Sequence, residues 1–230
     1  MRKTVLALVA LGLVVASSAF AANAVRISQV YGGGGSSTGT YKYDYIELFN
    51  SSGSAVNIGG WSIMYASATG SFGTATFSYT TFPANTTIPA CGYFLIQSGS
   101  AGSGGDDLPT PDAVLYAFMS GTAGKVALLS DATIGWACTA GYPASLIDFV
   151  GYGSTANCYE GAGPAPYSGG AVIVTARKLG GMTDTDVNST DFEVLTAPWT
   201  VHNSASPPNP ECVVVPAMSE TWGRVKTLYR

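Results

Sequence analysis

Charge is scarce in this chain. Asp, Glu, Lys and Arg together make up 10% of its 230 residues, against roughly 25% in an average soluble domain. Ten Lys and Arg are too few to argue for a nucleic-acid-binding face, because phosphate binding needs clustered cations. Histidine occurs once, at His202. A single imidazole leaves no partner for a thiol nucleophile and no zinc-binding set, and an isolated His202 in a polar stretch reads as an exposed surface residue rather than a general base. Between Ala22 and Pro216 no stretch repeats apolar residues at i, i+3, i+4, i+7, which excludes a helical domain. The glycines at 32 to 35 are not followed by Gly-Lys-Ser/Thr, so they make no phosphate loop. There is no internal repeat. What is present is apolar: 47% of residues are hydrophobic, with 13 Tyr, 9 Phe and 4 Trp, enough to force collapse and exclude disorder.

The N-terminus reads as an export signal. Arg2 and Lys3 precede an apolar run from Val5 to Val15, and Ala19-Phe20-Ala21 places small residues at the positions a signal peptidase reads. The run is shorter than the ~20 residues of a bilayer span. Residues 1–21 are therefore expected to be cleaved, with no transmembrane span left afterwards and a secreted or cell-surface product. Of the remainder, 22–200 is expected to form one domain, 201–216 a Ser/Pro-rich extended linker, and 217–230 a short amphipathic tail. In that tail Ser219 would cap a helix presenting Trp222, Val225 and Leu228, with Arg224, Lys226 and Arg230 towards its end.

The domain reads as all-β. Val25 to Tyr31, Tyr45 to Asn50, Trp61 to Tyr65, Tyr93 to Gln97, Val114 to Phe118, Val126 to Leu129, Ile147 to Tyr152 and Ala171 to Ala176 are short β-branched or aromatic runs separated by Gly, Ser, Pro and Asn. That many short strands imply a β-sandwich with one substantial core. Cys91, Cys138, Cys158 and Cys212 all lie beyond the signal, and an oxidising destination favours disulfides. Four cysteines allow three pairings.

The densest set of oxygen ligands is in the stretch TDTDVNSTDF, where Asp184, Asp186, Asn188 and Asp191 alternate as in the opening of many Ca²⁺ loops. No Gly at the sixth position and no Glu at the twelfth makes this no EF-hand. The alternative is a turn whose side chains bond their own backbone. Glu47 is flanked by Ile46 and Leu48, so alternation puts it on the opposite, outward face with Tyr45 and Phe49. Asp106, Asp107 and Asp112 read as solvated turn residues. Tyr41, Tyr43, Tyr45, Tyr65, Phe72, Phe77 and Tyr79 are aromatics that could stack on a ligand or belong to the core.

The stretch DYIELFNSSGSAVNIGGWSI resembles the signature of lamin tail domains, immunoglobulin-like sandwiches of nuclear lamins and of exported bacterial proteins. FPANTTIPACGYFLIQ resembles the family's next element, with Cys91 where a Gly is usual. ISQVYGGGG, MSGTAGKVALLSD, IDFVGYG and NCYEGAGPAP extend the likeness, in family order. It implies an all-β, immunoglobulin-like β-sandwich with a short C-terminal helical tail. It places Cys138 and Cys158 around the IDFVGYG strand, implying that these two are bridged and leaving Cys91 to pair with Cys212. The bacterial subgroup often precedes an extracellular nuclease, whose paired His, Asp and Asn are not matched by a chain with one His. The implied function is an exported, non-catalytic module for binding, attachment or surface organisation, with a protein or polysaccharide ligand at the cell surface. The alternatives are an accessory to a nuclease or phosphatase system, or a weak Ca²⁺-dependent hydrolase.

Overall fold

The computed structural model describes residues 24–75, 78–167 and 169–212. The expected signal peptide, the C-terminal tail and Phe77 lie outside them. In chain order the elements are β1 (Val25–Tyr31), β2 (Asp44–Asn50), β3 (Val56–Asn57), β4 (Ser62–Ser67), β5 (Tyr79–Thr81), β6 (Thr87–Ile88), β7 (Tyr93–Ser98), β8 (Ala113–Leu115), β9 (Gly124–Leu129), β10 (Leu146–Tyr152), β11 (Ile173–Arg177), the single turn α1 (Asn188–Asp191) and β12 (Phe192–Thr196). Six strands form one sheet in the order β12-β11-β1-β2-β7-β8, and four form a second in the order β10-β9-β4-β5, with β3 and β6 paired separately. The strand pairs are antiparallel except β7 with β8. The fold is an immunoglobulin-like β-sandwich.

Alternation fills the space between the sheets. Ile46 and Leu48 from the larger sheet meet Ile63, Val126, Leu128 and Val150 from the smaller one. β1 needs a device to join them, because its inward residues Ile27 and Val30 are three apart. A bulge supplies it: the pairing with β2 shifts between Ile27 and Gln29, so Ser28 is the extra residue and the facing alternates on either side of it. Gly151 in β10 is required by a close approach, since a Cβ there would collide with the carbonyl of Cys158.

Every residue of β1 and β2 is buried, so the outer face of the larger sheet is covered too. The cover runs from 197 to 212, the end of the expected domain and most of the 201–216 stretch that the sequence suggested as a linker. As far as Cys212 it lies on the sandwich as a strap. The Ala197 N–H donates to Val172 O at 3.1 Å, Trp199 Nε1 to Tyr45 Oη at 2.6 Å, the His202 N–H to Glu47 at 2.8 Å and the Ser204 N–H to Asp112 at 2.9 Å. The strap then returns, with the Asn209 N–H donating to Cys91 O at 2.8 Å, and ends at the Cys91–Cys212 disulfide. Beneath it Tyr31, Tyr45, Leu95, Val174 and Val201 form a second apolar cluster. Composition pointed to a linker over 201–216, but Val201 and Cys212 hold that stretch down, and Trp199 anchors the chain just before it.

Candidate functional site

The four residues of the Asp-rich turn do not converge on one centre. Asp184 accepts from Arg177 Nη1 at 2.8 Å and lies 3.5 Å from Arg26. Asp191 takes the N–H groups of Thr185 and Val187 at 2.8 and 3.2 Å and the Thr185 hydroxyl at 2.7 Å. Asn188 turns the other way, bonding the Gly151 N–H and the Phe149 carbonyl on the free edge of β10. Asp186 stands aside with its backbone left-handed at φ 56°. The position a shared cation would take is filled by the Arg177 guanidinium, whose side chain is fully buried between Asp148, Asp184 and Asp191. These residues do not fit a Ca²⁺ ion, and among the described residues no group of three or more His, Cys, Asp or Glu is placed to hold a metal.

The electrostatics of this cluster follow from burial and pairing. Burial pushes the Asp191 carboxyl up, but hydrogen bonds from Thr185 and Val187 outweigh it and hold it below the ordinary carboxylate range. Glu160, bonded to Asn188 Nδ2 at 3.0 Å, is pushed up to about 9, first by burial and then by Asp148. Asp186 is raised by burial and by its neighbours Asp184 and Asp191.

Glu47 and His202 meet under the strap. Glu47 is on the outer face as alternation requires, but the strap leaves it only 1% exposed. Its Oε2 accepts from the His202 N–H and lies 3.1 Å from His202 Nδ1, and its Oε1 accepts from the Ser28 hydroxyl at 2.6 Å. The imidazole stacks on Tyr93 with ring centroids 4.1 Å apart. His202 is therefore a half-buried partner of a buried carboxylate, not a lone surface residue as its polar neighbours suggested. A cleft of about 80 Å³ opens here, lined by Ser28, Glu47, Tyr93, Arg177, Glu193 and His202. Ser28 donates to the carboxylate and not to the imidazole, so the set is not wired as a serine nucleophile with its base. Asp112 is also engaged, accepting from the Leu95 and Ser204 N–H groups, while Asp107 makes a surface pair with Lys42 at 2.8 Å.

Against known families, residues 18–154 match the lamin tail domain model, which is more than half of the chain. The chain belongs to the lamin tail domain family. No curated protein matches it. Eight solved chains do, among them a DUF4876 family protein from Bacteroides thetaiotaomicron with 11% identity and a TM-score of 0.45, covering 84% of this chain and 74% of its own. The matched segment of this lamin tail domain protein ends just after β10, and β11, β12 and the strap lie beyond it. Cys91 has φ 52°, in the left-handed region that favours glycine.

Most of the aromatics singled out in the sequence are internal to the lamin tail fold. Tyr45 and Phe72 are fully buried and Tyr65 nearly so, and Tyr41 packs edge-on against Tyr31, Tyr45 and Trp199. Outside that set, Tyr116 at 68% and Phe118 at 67% are more exposed than Tyr142 at 51%, with Leu115, Ala117 and Met119 buried between and beside the first two. Period-two alternation thus continues past β8, putting two aromatic rings on one outward face. The sequence carried this signal, since Val114 to Phe118 alternates, but nothing local said which set faced water. Two disulfides, Cys91–Cys212 and Cys138–Cys158, staple the domain. No helix among the described residues is long and apolar enough to cross a membrane.

Proposed function

We propose that this protein is a secreted, non-catalytic lamin tail module that attaches to a protein or polysaccharide ligand at the cell surface. The observation that carries the reading is the pair Tyr116 and Phe118, two large rings exposed on alternate residues of the segment that directly follows the edge strand β8. Rings two residues apart on a strand are roughly 7 Å apart, a spacing suited to stacking on consecutive ligand groups, and aromatic side chains give large contact area at low entropic cost. The signal-like N-terminus and the two disulfides support an oxidising, extracellular setting. The inward wiring of Glu47 and of the Asp-rich turn supports a structural part for those carboxylates.

The test uses the exported form. N-terminal sequencing of the protein recovered from the medium is expected to begin at Ala22. Nuclease and phosphatase assays with Ca²⁺, Mg²⁺ or Mn²⁺ are expected to show no turnover above buffer. Robust turnover that disappears on Asp184→Ala or Glu47→Gln would overturn the non-catalytic reading.

A further inference from the structure

The two disulfides sit in different chemical surroundings. Cys91 and Cys212 are 1% and 8% exposed, and their sulfurs lie 3.1 and 3.4 Å from the carbonyl oxygens of Cys212 and Ser51. Carbonyl oxygens repel a thiolate, so this bridge is shielded from attack and its reduced form is disfavoured. Cys138 is only half-buried and stands on a single 3₁₀ turn, Cys138–Ala140, within a largely exposed loop. Its sulfur lies 3.8 Å from Lys125 Nζ.

Lys125 is itself unusual, a fully buried lysine whose Nζ donates at 2.6 Å to two neutral oxygens, Gly70 O and Asn157 Oδ1. Among the described residues no carboxylate forms a salt bridge with it. Its remaining donor direction is the one towards Cys138. A buried ammonium with neutral partners gains from a nearby anion, and a thiolate on Cys138 would be that anion.

We propose that Cys138–Cys158 is a thiol-exchange site, opened by low-molecular-weight thiols while Cys91–Cys212 stays closed, with Lys125 as the positioning residue that holds the Cys138 thiolate. In the first step an external thiolate attacks the accessible Cys138 sulfur. The Cys138–Cys158 bond breaks, a mixed disulfide forms on Cys138, and Cys158 leaves as a thiolate that takes a proton from water. In the second step another thiolate attacks the external sulfur of the mixed disulfide, giving the oxidised external disulfide and the Cys138 thiolate beside Lys125. Two external thiols are oxidised and one protein disulfide is reduced. Cys138 is then a site of reversible modification, carrying the external thiol whenever the first step outruns the second.

The experiment incubates the folded protein in graded dithiothreitol, quenches with acid, alkylates free thiols and reads each bridge by peptide mapping. Cys138–Cys158 is expected to open at a dithiothreitol concentration at least about tenfold below that needed for Cys91–Cys212. In the selectively reduced protein the pH midpoint for alkylation of Cys138 is expected below the ordinary thiol value of about 8.5. Lys125→Met, which keeps the stem and removes the charge, should raise that midpoint by about one pH unit, while Lys125→Arg should keep it low. Simultaneous opening of both bridges would overturn the proposal, as would a Cys138 midpoint unaffected by Lys125→Met. Should Lys125→Met not fold, the wild-type midpoint in buffer against that in denaturing urea decides: equal values overturn the part given to Lys125.

Discussion

Arg177 Nη2 donates to both carboxylate oxygens of Asp148, at 2.9 and 2.8 Å, and so joins the two sheets of the sandwich. Arg177 closes β11 in the larger sheet and Asp148 lies on β10 in the smaller one. Both also serve the bulged strand β1. Arg177 Nε donates to the Ile27 carbonyl at 2.9 Å, and Asp148 accepts from the Ile27 N–H. The pair thereby satisfies backbone groups where the ladder between β1 and β11 stops, which would otherwise be buried without partners.

Breaking this pair from one side leaves the other charge buried. Asp148→Ala is expected to lower the unfolding free energy by about 3–5 kcal/mol. Arg177→Met should cost at least as much, because it strands Asp148, Asp184 and Asp191 together. Urea titrations of each variant at one pH measure both. A loss under about 1 kcal/mol for either would show that the pair is not the clasp described here.

Acidity is expected to stabilise the protein from the alkaline side. Burial pushes Asp44 up to about 6, against the opposing N–H bonds of Met119 and Gly34, and Glu160 up to about 9. Both groups hold a proton more tightly folded than unfolded, so the folded chain binds more protons between their ordinary values and these raised ones. Stability then falls as pH rises through that window. The melting temperature should rise by several degrees between pH 8.5 and pH 5, and below about pH 4 the trend should reverse as Asp191 protonates. Asp44→Asn should flatten the lower part of the slope and Glu160→Gln the upper part. A melting temperature highest at pH 8.5 would contradict this.

Calcium offers a direct check on the Asp-rich turn. With Arg177 in its centre, the melting temperature in several millimolar Ca²⁺ is expected to equal that in chelator. A resident ion would raise stability by about 2.7 kcal/mol at a hundred times its dissociation constant, and a shift of that size would restore the metal reading. Asp186→Ala should be tolerated, while Asp191→Ala, which frees the Thr185 and Val187 N–H groups, should cost about 1–3 kcal/mol.

Asn188 finishes the free edge of β10 as a neighbouring strand would, accepting from the Gly151 N–H at 2.9 Å and donating to the Phe149 carbonyl at 3.0 Å. Asn188→Ala is expected to cost about 2–3 kcal/mol and to speed amide exchange at Gly151 more than at Val126 on the central strand β9. Equal protection at Gly151 in both proteins would show that water replaces the side chain.

The strands were legible where alternation was strong, as in Ile46 and Leu48 against Tyr45 and Phe49. β12 was missed, since Phe192 to Thr196 is a short edge strand whose Val194 and Leu195 are both only partly buried. The strap was read as a linker because Ser and Pro dominate its composition, while its anchors are single residues far apart in sequence. Distance along the chain also hid the pairing of Glu47 with His202 and of Asp148 with Arg177, which only the folded topology creates. The acidic turn looked like a cation site because its partner, Arg177, precedes it on a strand with no local mark of its destination.

The central claim is that the exposed pair Tyr116 and Phe118 makes this lamin tail module an attachment domain. The most direct measurement is cosedimentation of labelled protein, residues 22–230, with cell envelopes of the source organism, for wild type and for Tyr116→Ser/Phe118→Ser. Saturable wild-type binding is expected, weakened at least about tenfold in the double variant with an unchanged melting temperature, as befits two aromatic anchors. Equal binding by the two proteins, or no saturable binding by either, would contradict it.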